Sequence, residues 1–145
     1  MSDLTLERAQ KIAAAALAHG REKKLMVLAV AVLDARGALK SFSAEEGTSL
    51  KRGEIAIGKA SAALAFGLGT RAIAKMAVAR PFFINSVSHS VGGPFVPVPG
   101  GVLIKGDNGA VIGAVGISGD VSDNDEAAAV AGIKAAGFTA DPGSD

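Results

Sequence analysis

Residues 102–118 decide the fold: Val102-Leu103-Ile104-Lys105-Gly106-Asp107-Asn108-Gly109-Ala110-Val111-Ile112-Gly113-Ala114-Val115-Gly116-Ile117-Ser118. Two apolar runs, 102–104 and 110–118, flank Gly106-Asp107-Asn108-Gly109, whose residues suit a tight turn. This is a hairpin signal, and hairpins build antiparallel sheets. The pattern occurs once more upstream. Met26 to Leu33 (MVLAVAVL) is a continuous apolar run, which reads as a strand covered on both faces. Asp34-Ala35-Arg36-Gly37 supplies turn chemistry, and residues 38–43 are short enough to be the hairpin partner.

Helices fill the intervals. Thr5 can cap a first helix, with Leu6, Ala9, Ile12, Ala13, Ala16 and Leu17 recurring on one face. Gly20 and the cations Arg21, Lys23 and Lys24 mark its expected end. Ser49 can cap a second helix to about Phe66, closed by Gly67. Thr70 opens a third, which must stop before Pro81 because the residue preceding proline is pushed out of the α region. Residues 82–99 read as irregular, punctuated by Gly92, Gly93, Pro94, Pro97 and Pro99. Ser122 can cap a last helix that Gly137 ends. The expected order is helix, hairpin, two helices, loop, hairpin, helix: a layered α+β domain with helices on both sheet faces. A single domain over 1–145 is expected, with its core at about 4–137 and a disordered tail at 138–145.

Composition excludes several classes of function. The chain has no cysteine, which removes disulfides, thiolate metal sites and thiol nucleophiles. Six Phe are its only aromatics, and the net charge is +1, so neither base-stacking platforms nor a basic footprint for nucleic acid or anionic membrane stands out. The N-terminus has no basic stretch followed by an apolar run, and no apolar segment reaches membrane-spanning length, so a cytoplasmic location is expected. Neither GxGxxG nor a Walker loop is present. With 49% hydrophobic residues in so short a chain, some should be buried between subunits.

The residues able to carry chemistry are few. His19, near the end of the first helix, reads either as a helix-end imidazole facing the dipole or as an axial ligand to haem iron. His89 lies in Ser86-Val87-Ser88-His89-Ser90-Val91-Gly92-Gly93, a stretch of small and hydroxyl residues suited to lining a pocket or to bonding its own backbone. Lys59 sits mid-helix among small and apolar neighbours, where it either snorkels to water or points into a cleft as an anion anchor. Gly92-Gly93 and Gly100-Gly101 flank a proline-spaced segment and allow a ligand to approach the backbone, or else form a stiff crossing loop. Glu45, Glu46 and Glu54 form either a solvated acidic face or a weak metal site. Asp120, Asp123, Asp125 and Glu126 surround the start of the last helix, repel anions, and suit a cation or self-neutralisation; Asp125 is the one expected to reach a pocket.

Four stretches taken together resemble the GlcG/HbpS-like family, which includes the C-terminal domain of PduO-type proteins. They are Ile55-Ala56-Ile57-Gly58-Lys59-Ala60; His89 with Gly92-Gly93; Pro99-Gly100-Gly101-Val102; and Gly113-Ala114-Val115-Gly116-Ile117-Ser118-Gly119 followed by Asp125-Glu126. The resemblance covers about residues 4 to 137, and Leu103 departs from the proline that many relatives carry there. It implies a three-layer α/β/α sandwich with a mainly antiparallel five-stranded sheet, profilin-like in layout, that assembles into homo-oligomers from dimers to octamers. It also implies haem or tetrapyrrole binding, with His19 as iron ligand and Gly92, Gly93, Gly100 and Gly101 around the cofactor. Other relatives sit beside catabolic genes. This gives two further readings: an enzyme acting on a small carboxylate or carbonyl metabolite through Lys59, His89 and Asp125, and a non-catalytic assembly subunit.

Overall fold

The two hairpins lie side by side and share one sheet. The structure, a computed structural model, describes residues 4–143. Its elements are α1 (Leu6–Glu22), β1 (Ala29–Asp34), β2 (Leu39–Ala44), α2 (Arg52–Phe66), α3 (Thr70–Ala79), α4 (Pro81–Val91), β3 (Gly101–Lys105), β4 (Val111–Ser118), α5 (Ser122–Ala135) and β5 (Thr139–Asp141). The sheet runs β2-β1-β4-β3-β5, and every neighbouring pair is antiparallel. Among the described residues, five helices and a five-stranded open antiparallel sheet make an α+β sandwich.

Strand alternation gives the sheet two unlike faces. Val30, Val32, Val102, Ile104, Val115 and Ile117 point to one side, where they pack with Ile12, Ala13 and Ala16 of α1 and Ala128, Ala129 and Ile133 of α5. The opposite side is built from Ala29, Ala31, Leu33, Leu103 and Ala114 and meets Ala56, Ala60 and Ala63 of α2. Small residues on both partners let α2 approach until backbone touches backbone. A Cβ at Gly116 would collide with the Ala56 carbonyl oxygen, and one at Gly101 with that of Lys59. The bulky face carries two helices. The small face seats one helix closely, and that closeness positions Lys59.

The structure corrects several expectations. β1 begins at Ala29, not Met26, because side-chain oxygens take over the preceding amides: Met26 N–H donates to Asp120 Oδ2 at 2.7 Å and Leu28 N–H to Glu45 Oε1 at 2.7 Å. α1 runs through Gly20, which is buried against Leu28, and the chain turns instead at Lys24 with φ of 57°. Ser49 does not cap α2 with its side chain; its carbonyl accepts from Arg52 N–H, and Lys51 occupies the cap position. Ser122 is the first residue of α5 rather than its cap.

The largest departure is α4, where irregular chain was expected. Pro81 at its first turn needs no amide partner and presets φ, while Phe83, Ile84, Val87 and Val91 fall on one helical stripe. The glycines and prolines that suggested a loop all lie beyond it, and Gly92 ends it in the left-handed region at φ 74°. At the other end of the chain, Thr139–Asp141 pair with β3 as an edge strand, where a tail was expected. Phe138 is buried, and Arg71 N–H donates to the Pro142 carbonyl at 3.2 Å. Ser144 and Asp145, the end of the expected tail, lie outside the described residues, as do Met1, Ser2 and Asp3.

Close seating of α2 can be tested by adding one methyl group. Gly116→Ala should destabilise the protein by about 3 kcal/mol, since backbone must move to admit it. Gly93→Ala, whose Cβ would enter open space, should leave the thermal midpoint nearly unchanged in the same calorimetric comparison.

Candidate functional site

Lys59 projects from the sheet-facing side of α2 and does not reach water. Its Nζ donates to the Ile117 carbonyl at 2.8 Å and to Asp125 Oδ2 at 3.2 Å. The two side chains are 4% and 1% exposed. Asp125 comes from the first turn of α5, on the far layer, and its second oxygen accepts from Asp120 N–H at 2.9 Å. The pair therefore reaches past the end of β4 and joins the helical layers across the sheet. Gly100, at φ 125°, lies directly over the ammonium: a Cβ there would stand 2.9 Å from Nζ. Gly101 beside it is held by Thr70, whose Oγ1 accepts from Gly101 N–H at 2.8 Å and donates to its carbonyl at 3.2 Å.

Burial acts on both members of the pair in opposite directions. Loss of water pushes the Lys59 ammonium down from its ordinary value, opposed by Asp125, with Arg52 adding a smaller like-charge push downward. Burial likewise pushes Asp125 up, opposed by the Asp120 amide and by Lys59. Among the described residues no buried side-chain nitrogen or oxygen lacks a partner. The charges of the buried pair are committed to one another.

The acidic cluster at the start of α5 is neutralised piece by piece. Asp120 accepts from the Met26 and Val121 amides and from Asn124, which hold its carboxyl below the usual range. Asp123 and Glu126 clasp Arg71 of α3, with Glu126 Oε2 at 2.9 Å. Glu45 pairs with Arg21 at 3.0 Å and Glu54 with Lys51 at 2.9 Å. No group of three metal-ligating side chains forms among the described residues, so the acidic residues do not assemble into a metal site. Thr70 and Arg71 carry the site's periphery. Sequence reading took Thr70 only as a helix start, and nothing in its spacing pointed to Gly101.

The sequence-derived candidates divide among three places. Lys59, Asp125, Gly100 and Gly101 meet at the buried pair, where the glycines make room for lysine and threonine side chains. His89 stands exposed on the last turn of α4, followed by exposed Gly92 and Gly93 with open space around them. It is not joined to Lys59 or Asp125. His19 is half-buried on the last turn of α1, on the opposite face of the sheet from α2. An open apolar cleft of about 400 Å³ lies between the cap residue Lys51 with Glu54, Ile55 and Ile57 of α2 on one side and Pro94, Phe95 and Val96 on the other. A second, of about 530 Å³, is lined by residues 79–83 and Ser86. His19 lines neither.

Fold and site together define a small α/β/α domain closed by a buried ion pair, with its imidazoles near the surface. The family of Haem degrading protein HbpS-like domains matches residues 4–134, and the chain belongs to that family. Among solved structures, HbpS is 27% identical with a TM-score of 0.79, covering 92% of this chain and 90% of its own. A PduOC:heme complex, at 23% identity and a TM-score of 0.83, covers 94% and 96% respectively. The Klebsiella pneumoniae protein ORFY, at 23% and 0.81, covers 94% and 92%. The last two share the fold. No curated protein matches the chain. Among the described residues no single helix is long and apolar enough to cross a membrane.

Two measurements test this description of the site. Lys59→Met leaves Asp125 buried without its cation and should cost about 3–5 kcal/mol in denaturant unfolding. Adding Asp125→Asn, which still accepts from the Asp120 amide, should recover at least half of that loss. Separately, the depressed carboxyl of Asp120 contributes stability that is present above its unfolded value of 3.8 and lost as pH falls through the lower folded value. Asp120→Ala should therefore lower the melting temperature at pH 6 and flatten its decline below pH 4.

Proposed function

We propose that this chain binds haem or a related tetrapyrrole, with His19 as the iron ligand, in a homo-oligomer. The observation that carries the proposal is membership of the HbpS-like family over residues 4–134, and the haem complex of the PduOC fold relative supports it. The donor set fits. With no Cys or Tyr in the chain, the imidazoles of His19 and His89 are its natural axial ligands, and His19 is the one on the first helix. Bound haem would supply redox chemistry at its iron. The protein would hold it through the half-buried imidazole on the last turn of α1. Because His19 lines neither of the clefts described, one chain would enclose the ring only on one side, and a second copy would complete the enclosure.

The enzyme reading through Lys59, His89 and Asp125 has less support, since two of the three are bonded to each other out of reach of solvent and the third stands elsewhere. Titration with haemin, followed by absorbance from 350 to 650 nm, tests the proposal. A saturable Soret shift should appear, should be lost in His19→Ala, and should persist in His89→Ala. Absence of a shift, or a shift unchanged in His19→Ala, would overturn it.

A further inference from the structure

Asn108 sits at the tip of the β3–β4 hairpin and is followed by Gly109, which puts no side chain in front of its own nitrogen. Residues 107–110 are exposed, and a Cβ built on Gly109 would meet nothing within 4 Å. Three hydrogen bonds shape the tip. Gly106 N–H donates to the Ala110 carbonyl at 2.9 Å, Gly109 N–H to the Gly106 carbonyl at 3.0 Å, and Ala110 N–H to Asn108 Oδ1 at 3.1 Å. Oδ1 is the atom that gains negative charge when a nucleophile adds to the side-chain carbonyl carbon. A backbone N–H already aimed at it stabilises that addition in the manner of an oxyanion hole.

The chain's other asparagines are placed differently. Asn85 lies inside α4 and Asn124 inside α5, and each is followed by a residue with a side chain. Asn124 Nδ2 donates to Asp120 Oδ1 at 2.8 Å, and the next nitrogen, that of Asp125, donates to the Val121 carbonyl at 3.0 Å. A nitrogen held in a helical ladder does not turn toward the preceding side chain.

We infer that Asn108 is a site of spontaneous covalent modification, where the side-chain amide is lost through a cyclic imide with Gly109 and the tip becomes isoaspartate or aspartate. The Gly109 nitrogen gives its proton to hydroxide and adds to Asn108 Cγ. The Cγ–Nδ2 bond then breaks, and the departing nitrogen takes a proton from water, leaving as ammonia and regenerating hydroxide. Water next opens the imide. Cleavage between the Gly109 nitrogen and Cγ gives aspartate with the main chain unchanged. Cleavage between that nitrogen and the main-chain carbonyl carbon gives isoaspartate, with the chain running through Cγ. Either product sets a new carboxylate beside Asp107, and isoaspartate also lengthens the turn that holds Lys105 opposite Val111. Folding slows the step without preventing it. Gly109 must release the Gly106 carbonyl, which is a single bond at an exposed hairpin end, where local opening costs least.

The test is to incubate the full chain without haem at mildly alkaline pH, folded and in urea, and to follow each asparagine by peptide mass mapping. Isoaspartate is scored by labelling with an isoaspartyl methyltransferase. It should accumulate at 108 and not at 85 or 124 in the folded chain, and more slowly there than in urea. Gly109→Asp, an exchange the left-handed φ of 80° accommodates, should slow the conversion severalfold by crowding the attacking nitrogen. Repeating that comparison in urea removes any effect of the exchange on folding. No conversion at 108 in the folded chain, equal conversion at 85 or 124, aspartate formed without isoaspartate, or a rate in urea that Gly109→Asp leaves unchanged would each overturn the inference.

Discussion

The buried ammonium of Lys59 is the constraint around which the rest is arranged. A lysine nitrogen without water costs several kcal/mol unless it finds hydrogen-bond acceptors and its charge finds its opposite. It is satisfied by a carbonyl at the end of β4 and a carboxylate from the first turn of α5. These acceptors lie on two further elements. Seating the lysine therefore requires the α2 layer, the sheet and the α5 layer to be in place together. The glycines at 100 and 101 follow from the same demand, because the chain must cross over Lys59 where no Cβ fits.

A face of alanine and glycine makes that arrangement reachable. α2 lies close enough for its lysine to cross the sheet's end because Ala31, Ala114 and Gly116 raise no bulk against Ala56 and Ala60. Close packing also leaves little room for a ligand on the sheet itself. Open space is displaced outward, to the cleft beneath Pro94–Val96. In such a fold the centre provides rigidity.

Much of this was legible in the residues. The turn at Gly106–Gly109 and the apolar runs beside it gave the antiparallel sheet, since hairpin chemistry is local and needs no knowledge of distant contacts. The stop of α3 before Pro81 was equally local. α4 is hidden because Pro81 reads as a terminator from the left and as an initiator from the right, and the glycines beyond it suggest a loop. The C-terminal strand is not legible in the residues because β5 has only three of them and depends on β3 for its bonds. At the site, Lys59 and Asp125 stood out as charges in small, apolar surroundings or beside a helix start. That they meet, across 66 residues, depends on tertiary packing that no spacing encodes. For the same reason Arg71 drew no attention, although it neutralises two members of the acidic cluster.

Hydrogen exchange, resolved along the chain for the wild type and Lys59→Met, tests most directly whether this one side chain couples the layers. If it does, protection should fall together in α2, in residues 116–121 and in the first turns of α5, while the middle of α1 keeps its own. A loss confined to α2, with α5 as protected as before, would contradict the account and reduce the ion pair to a local contact.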